Sequence, residues 1–207
     1  HKAAGVLAEG AHLVLPGLGV ADELGLIQHL VHLFHDLVAA LHAHADVHGA
    51  GLVGDVVLGA DLLQPVRAAA AGADALLLVT PYYNKCTPKG LQSHFARLAS
   101  ATPLPVIIYN VPSRTGVTID MESRRKLSKV DNIIGLKEAS TDFSLIHQHL
   151  LELGDTLPLY SGNDDLTLPL MSLGAHGCIS VLSNLLPHST ETLCQAILQN
   201  DLPAARS

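Results

Sequence analysis

Five short apolar runs, each passing into polar or glycine-rich residues, constrain this chain more than any other feature. Leu76–Val79 runs into Thr80-Pro81-Tyr82-Tyr83-Asn84, Val106–Ile108 into Tyr109-Asn110, and Ile133–Leu136 into Lys137-Glu138. Leu157–Leu159 runs into Tyr160-Ser161-Gly162, and Gly177-Cys178-Ile179-Ser180-Val181 closes the series. The stretches between them, such as Gly90–Ala101 and Asp142–Leu153, read as helices. Strands alternating with helices imply βαβ units and a parallel sheet. Polar groups at the ends of successive strands predict an α/β TIM (β/α)8 barrel, whose active site lies on that face. A complete barrel needs about 250 residues, so a chain of 207 predicts an incomplete one with five legible strands.

Lys137 is the residue in these runs that most suggests chemistry. A lone lysine ends a β-branched stretch that reads as a buried strand, and lysine is almost never buried without a reason. Desolvation disfavours the ammonium and frees the amine as a nucleophile. That is the chemistry of a Schiff-base enzyme. An earlier strand ends in Tyr109 and leads into a loop carrying Arg114. A planar bidentate donor such as Arg114 suits a carboxylate. Asp164 and Asp165 are expected to cap the helix that follows them.

Bulk properties bound the function without naming it. A formal net charge of −7 argues against a nucleic-acid or anionic-membrane partner. No apolar run reaches the roughly 18 to 20 residues of a membrane span. No cationic start precedes an apolar core, so no signal peptide is expected. Cys86, Cys178 and Cys194 lack CxxC spacing and fit reduced cytoplasmic thiols. The histidines at 29, 32, 35, 42, 44 and 48 sit in alanine- and leucine-rich sequence that reads as helix, not as a strand-end metal site. His147 and His149 are expected on a solvated helix face.

The motifs resemble one family. Thr80–Asn84 (TPYYN), Tyr109–Gly116 (YNVPSRTG), Gly135–Ser140 (GLKEAS), Ser161–Asp165 (SGNDD) and Gly177–Val181 (GCISV) stand in the order and spacing of the dihydrodipicolinate synthase / N-acetylneuraminate lyase family of class I aldolases. The resemblance covers about three fifths of the chain. Within the family, the arginine after YNVPS marks the synthases, and Arg114 holds that position. The resemblance implies condensation of pyruvate with aspartate 4-semialdehyde in lysine biosynthesis. It makes Lys137 the imine-forming residue, Tyr109 and Tyr83 proton carriers, and Arg114 the carboxylate clamp. Gly162 and Ile179 would line the pyruvate pocket. Tyr83 would serve a neighbouring subunit's site, which implies a homo-oligomer, a dimer of dimers. No metal and no organic cofactor is implied. A sibling aldolase or lyase acting on another 2-keto acid, and an inactive fragment, are the alternatives.

Residues 1–66 stand apart. They hold eight histidines, one lysine, and no arginine, serine, threonine, asparagine, tyrosine, cysteine or methionine. Serine, threonine and asparagine are the usual capping and turn residues. The residue types present suit a G- and C-rich gene read on the wrong strand or out of frame. Residues 1–66 are therefore expected to be a non-native segment in the place of the early barrel strands, and 67–207 the later barrel with the lysine. The family's upstream Gly-Thr-Thr-Gly-Glu loop falls near Gly19–Glu23, where no hydroxyl stands. The family's first strand and last helices are also expected to be missing.

Overall fold

A computed structural model describes residues 13–14, 63–70, 73 and 75–206. The histidine-rich stretch from 29 to 48, the position of the expected hydroxyl loop and the apolar run at 51–58 lie outside the described residues. The frame is one six-stranded sheet. It is built from β1 (Leu13–Val14), β2 (Leu76–Val79), β3 (Val106–Asn110), β4 (Ile133–Glu138), β5 (Leu159–Ser161) and β6 (Gly177–Ile179). Strands β2 to β6 pair in sequence order and all in parallel. Each step between them passes through helix, as the alternating pattern requires. Strand β1 lies antiparallel beside β6, so a piece of the segment set apart by composition also enters the sheet. Among the described residues the sheet is open, with β2 and β1 at its edges.

The helices are α1 (Leu63–Ala70), α2 (Pro88–Ser100), α3 (Pro112–Thr115), α4 (Met121–Leu127), α5 (Phe143–Leu153), α6 (Thr167–Ser172), α7 (Pro187–Leu198) and α8 (Leu202–Ala205). Their starts follow local chemistry. Thr87 accepts from Gly90 N at 3.2 Å with Pro88 in the first turn. Asp120 accepts from Ser123 N at 2.7 Å, and Asp142 from Leu145 N at 3.0 Å. Each side chain satisfies a donor the helix cannot. The expected helices 90–101 and 142–153 are thus α2 and α5, displaced by a residue or two at their caps.

Strand alternation sorts the apolar residues. Leu76, Leu78, Val106, Ile108, Leu136, Leu159 and Cys178 face the helices. There they meet Leu91, Phe95 and Leu98 of α2, Leu127 of α4, Ile146 of α5 and Ile197 of α7. Burying one such side chain contributes roughly 1.5–3 kcal/mol, so this layer holds the sheet to its helices. The opposite face carries a smaller cluster of Ile107, Tyr160 and Ile179 with Leu77. Among the described residues no helix is long and apolar enough to cross a membrane.

Candidate active site

Lys137 is the fifth residue of β4, not its end; the strand runs on to Glu138. The register places Tyr109 of β3 beside Lys137, and Lys137 beside Tyr160 of β5. An amine thus lies in a row between two phenols on the inner face of the sheet. Lys137 is 8% exposed. Its Nζ lies 4.5 Å from the centre of the Tyr109 ring, a cation–π distance. Burial pulls the amine down from 10.5 to about 8, partly opposed by the Asp164 carboxylate. The neutral form, the only one with a free lone pair, then makes up about a tenth of the amine at pH 7 instead of about one part in three thousand.

Gly162 lies against this lysine. A Cβ built there would come within 3.0 Å of the Ala139 Cβ, 3.1 Å of the Glu138 carbonyl oxygen and 3.1 Å of Lys137 Cε. Its N–H donates to the Glu138 carbonyl at 2.7 Å. Glycine therefore lets the loop after β5 press onto the amine's own stem. A second close fit lies deeper on the same face, where a Cβ at Gly135 would meet Tyr160 Cε2 at 3.0 Å. Burial pushes the Tyr160 phenol up to about 12.

Tyr109 is half-buried. Burial raises its phenol, the Arg114 guanidinium lowers it, and Glu138 raises it again. Arg114 is exposed in α3, which Gly116 ends in the left-handed conformation at φ 64°. The structure brings Lys137, Tyr109 and Gly162 together and sets Arg114 within electrostatic reach of Tyr109. Ile179 is buried in the inner cluster with Tyr160. Tyr83 is not part of this group. Strand β2 stops at Val79, so Tyr82 and Tyr83 lie in the following loop, and Tyr83 is 84% exposed.

Two expectations need correction. Asp164 does not cap the helix after it. Its carboxylate accepts from the Ser180 hydroxyl and from Leu182 N at 3.0 Å, tying the loop after β5 to the loop after β6. His149 is not solvated. It is fully buried and its Nε2 lies 2.9 Å from the Leu157 carbonyl oxygen, whereas His147 is exposed. Burial, with Arg124 nearby, lowers the His149 imidazole to about 4. All three cysteines are free, with Cys178 and Cys194 sulfurs 3.7 Å apart.

Sequence reasoning also passed over a polar network on the outer side of the strand ends. Arg124 Nη2 donates to Glu138 Oε2 at 2.5 Å with both side chains fully buried. Asn110 Nδ2 and Ser140 N each donate to Glu138 Oε1 at 2.8 Å.

A profile of the dihydrodipicolinate synthetase family matches residues 60–207. The chain belongs to that family. The dihydrodipicolinate synthetase match runs through all five parallel strands, which form an open arc of the family's TIM barrel. Among relatives, the 4-hydroxy-tetrahydrodipicolinate synthase of Alkaliphilus oremlandii is 48% identical over 134 residues, 65% of this chain and 46% of the relative. The dihydrodipicolinate synthase structure from Aquifex aeolicus superposes with a TM-score of 0.69 at 38% identity, covering 72% of this chain and 52% of that one. A chloride-inhibited dihydrodipicolinate synthase from Acinetobacter baumannii, complexed with pyruvate, gives 0.67 at 39% identity, covering 70% and 50%. The chain thus spans about half the length of the relatives it matches.

Proposed function

We propose that the chain carries the imine-forming centre of a class I aldol enzyme condensing pyruvate with aspartate 4-semialdehyde. The observation that carries the reading is the buried Lys137 amine, set 4.5 Å from the Tyr109 ring near the C-terminal end of a parallel strand. In this reading the neutral amine attacks the pyruvate carbonyl, and water leaves to give a protonated imine. The imine draws electrons from the methyl carbon, which loses a proton to become an enamine. The enamine carbon attacks the aldehyde, and water then releases the product from Lys137. Tyr109 carries protons to and from the imine nitrogen, and Arg114 holds the aldehyde's carboxylate. Gly162 and Ile179 line the pyruvate pocket. The exposed Tyr83 supports a site completed by a neighbouring subunit, hence a homo-oligomer. The compartment that suits this chemistry is the cytoplasm. The division at residue 66, with a non-native segment before it, belongs to the same reading; sequencing the underlying DNA tests it.

Pyruvate with borohydride tests the chemistry. Peptide mass mapping should find the reduced adduct on Lys137 and not on Lys85 or Lys89. Labelling elsewhere with Lys137 untouched would sink the mechanism. The second reading, an inactive chain, is favoured by the lack of a hydroxyl at Gly19–Glu23, where the family's Gly-Thr-Thr-Gly-Glu loop falls. It predicts no adduct at all.

A further inference from the structure

The Tyr109–Lys137 pair on the inner face of the sheet has a counterpart one residue further along. Asn110 and Glu138 are the next register partners of β3 and β4. Alternation turns them to the outer side, where both are fully buried. Glu138 there is bonded by three other residues. Its Oε1 accepts from Asn110 Nδ2 at the end of β3 and from Ser140 N after β4, each at 2.8 Å. Its Oε2 accepts from Arg124 of α4 at 2.5 Å. Arg124 Nε in turn donates to the Ile119 carbonyl at 2.8 Å. Ile119 N closes the ring by donating to Asn110 Oδ1 at 2.9 Å. Ala139 N donates to the Asn110 carbonyl at 2.8 Å.

Burying two charges to make one pair is a poor route to stability, since well-packed apolar residues often serve as well or better. What such a network gives is fixed geometry. Apolar side chains could fill the same space without holding two strand ends at one relative height.

We propose that Asn110, Glu138 and Arg124 are positioning residues that clamp the ends of β3 and β4 from outside, so that the Tyr109 ring is held over the Lys137 amine. The inference rests on the imine-forming role proposed for Lys137. Without the clamp the two strand ends move apart and water reaches the amine. Tyr109 on β3 and Tyr160 on β5 flank that amine, and the Asp164 carboxylate in the loop after β5 and the Cys178 thiol, on the helix-facing side of β6, act on its charge. Changing the clamp replaces none of these side chains; its one direct electrostatic effect is on the Tyr109 phenol, which Glu138 raises.

The test uses the full chain carrying Arg124→Met with Glu138→Leu, which removes both charges together. Pyruvate adducts on Lys137 are trapped with cyanoborohydride from pH 6 to 10 and followed by peptide mass, with circular dichroism reporting the folded state. The folded double variant should label Lys137 about tenfold more slowly at pH 7, with the pH midpoint raised by about one unit toward that of an ordinary lysine. A purely structural role would lower the melting temperature and leave the midpoint in place. A folded double variant that labels at the parent's rate and midpoint would overturn the clamp. If the double variant does not fold, Asn110→Ala, which leaves the ion pair whole, is judged by the same two readouts. A parent chain that is not labelled at Lys137 at any pH overturns the imine reading itself, and the clamp with it.

Discussion

Replacing Lys137 by methionine should make the protein more stable, and by an amount that depends on pH. Methionine keeps most of the apolar stem and removes the charge. The folded chain holds the amine at about 8 instead of 10.5. At about 1.36 kcal/mol per pKa unit, keeping the ammonium in this site costs about 3 kcal/mol. The contact with Tyr109 returns roughly 0.5–2 kcal/mol, so Lys137→Met should gain about 1–3 kcal/mol at pH 7. The folded pKa lies below the unfolded one, so between pH 8 and 10.5 the unfolded chain binds more protons. The cost is therefore complete below about pH 8, fades as pH rises through that window, and is absent above it. Urea unfolding of parent and variant at pH 7 and pH 10.5, extrapolated linearly to water, measures the gap. It should close or change sign at the higher pH. A parent more stable than the variant at pH 7, or a gap that does not change with pH, would refute a desolvated amine.

Arg114→Ala should leave pyruvate trapping on Lys137 intact but weaken aldehyde use by about 2–4 kcal/mol in transition-state binding; the ratio of kcat/KM values for aspartate semialdehyde reads this. His149 has its imidazole at about 4 in the fold against an ordinary value near 6.5. Stability from it is complete above about pH 6.5 and lost as pH falls to 4, by about 3 kcal/mol, so His149→Asn should flatten the acid side of a urea-midpoint profile. Replacing residues 1–66 by a family-like front with a Gly-Thr-Thr-Gly-Glu loop should improve solubility, because β1 and β2 are edges among the described residues and unpaired strand edges invite aggregation. It should also raise turnover about 10²–10⁴-fold through the restored proton relay; full activity and solubility of the unaltered chain would contradict this.

The strands were legible because parallel strands covered on both faces are continuous apolar runs, and Leu76–Val79 and Val106–Ile108 have no other use. Lys137 and Tyr109 stood out because an amine and a phenol near the ends of apolar strands are residues a core does not want, whereas Gly162 entered only through the family resemblance. Arg124 was not. It stands beside Arg125 and Lys126, a basic run that reads as a solvated helix face. Only its spacing of three from both Met121 and Leu127, each buried, places it on the inner side. Glu138 was masked by Lys137, because one strand residue draws attention and its neighbour faces the other way. His149 misled for a similar reason: HxH suggests a shared face, but on a helix residues two apart point in different directions. Asp164 looked like a local cap because its true partners, Ser180 and Leu182, lie a whole helix and strand further on.

The contact between Gly135 and the Tyr160 ring makes these two positions one heritable unit. Any side chain at 135 needs the space that the ring of 160 already fills. A drift from glycine to alanine therefore requires the Tyr160 ring to give way by a few tenths of an ångström, and a smaller residue at 160 removes that requirement. Directed evolution of the pocket floor would meet this coupling: single-site libraries at 135 should favour glycine over larger residues, while paired libraries at 135 and 160 should admit larger residues at 135 where 160 has become smaller.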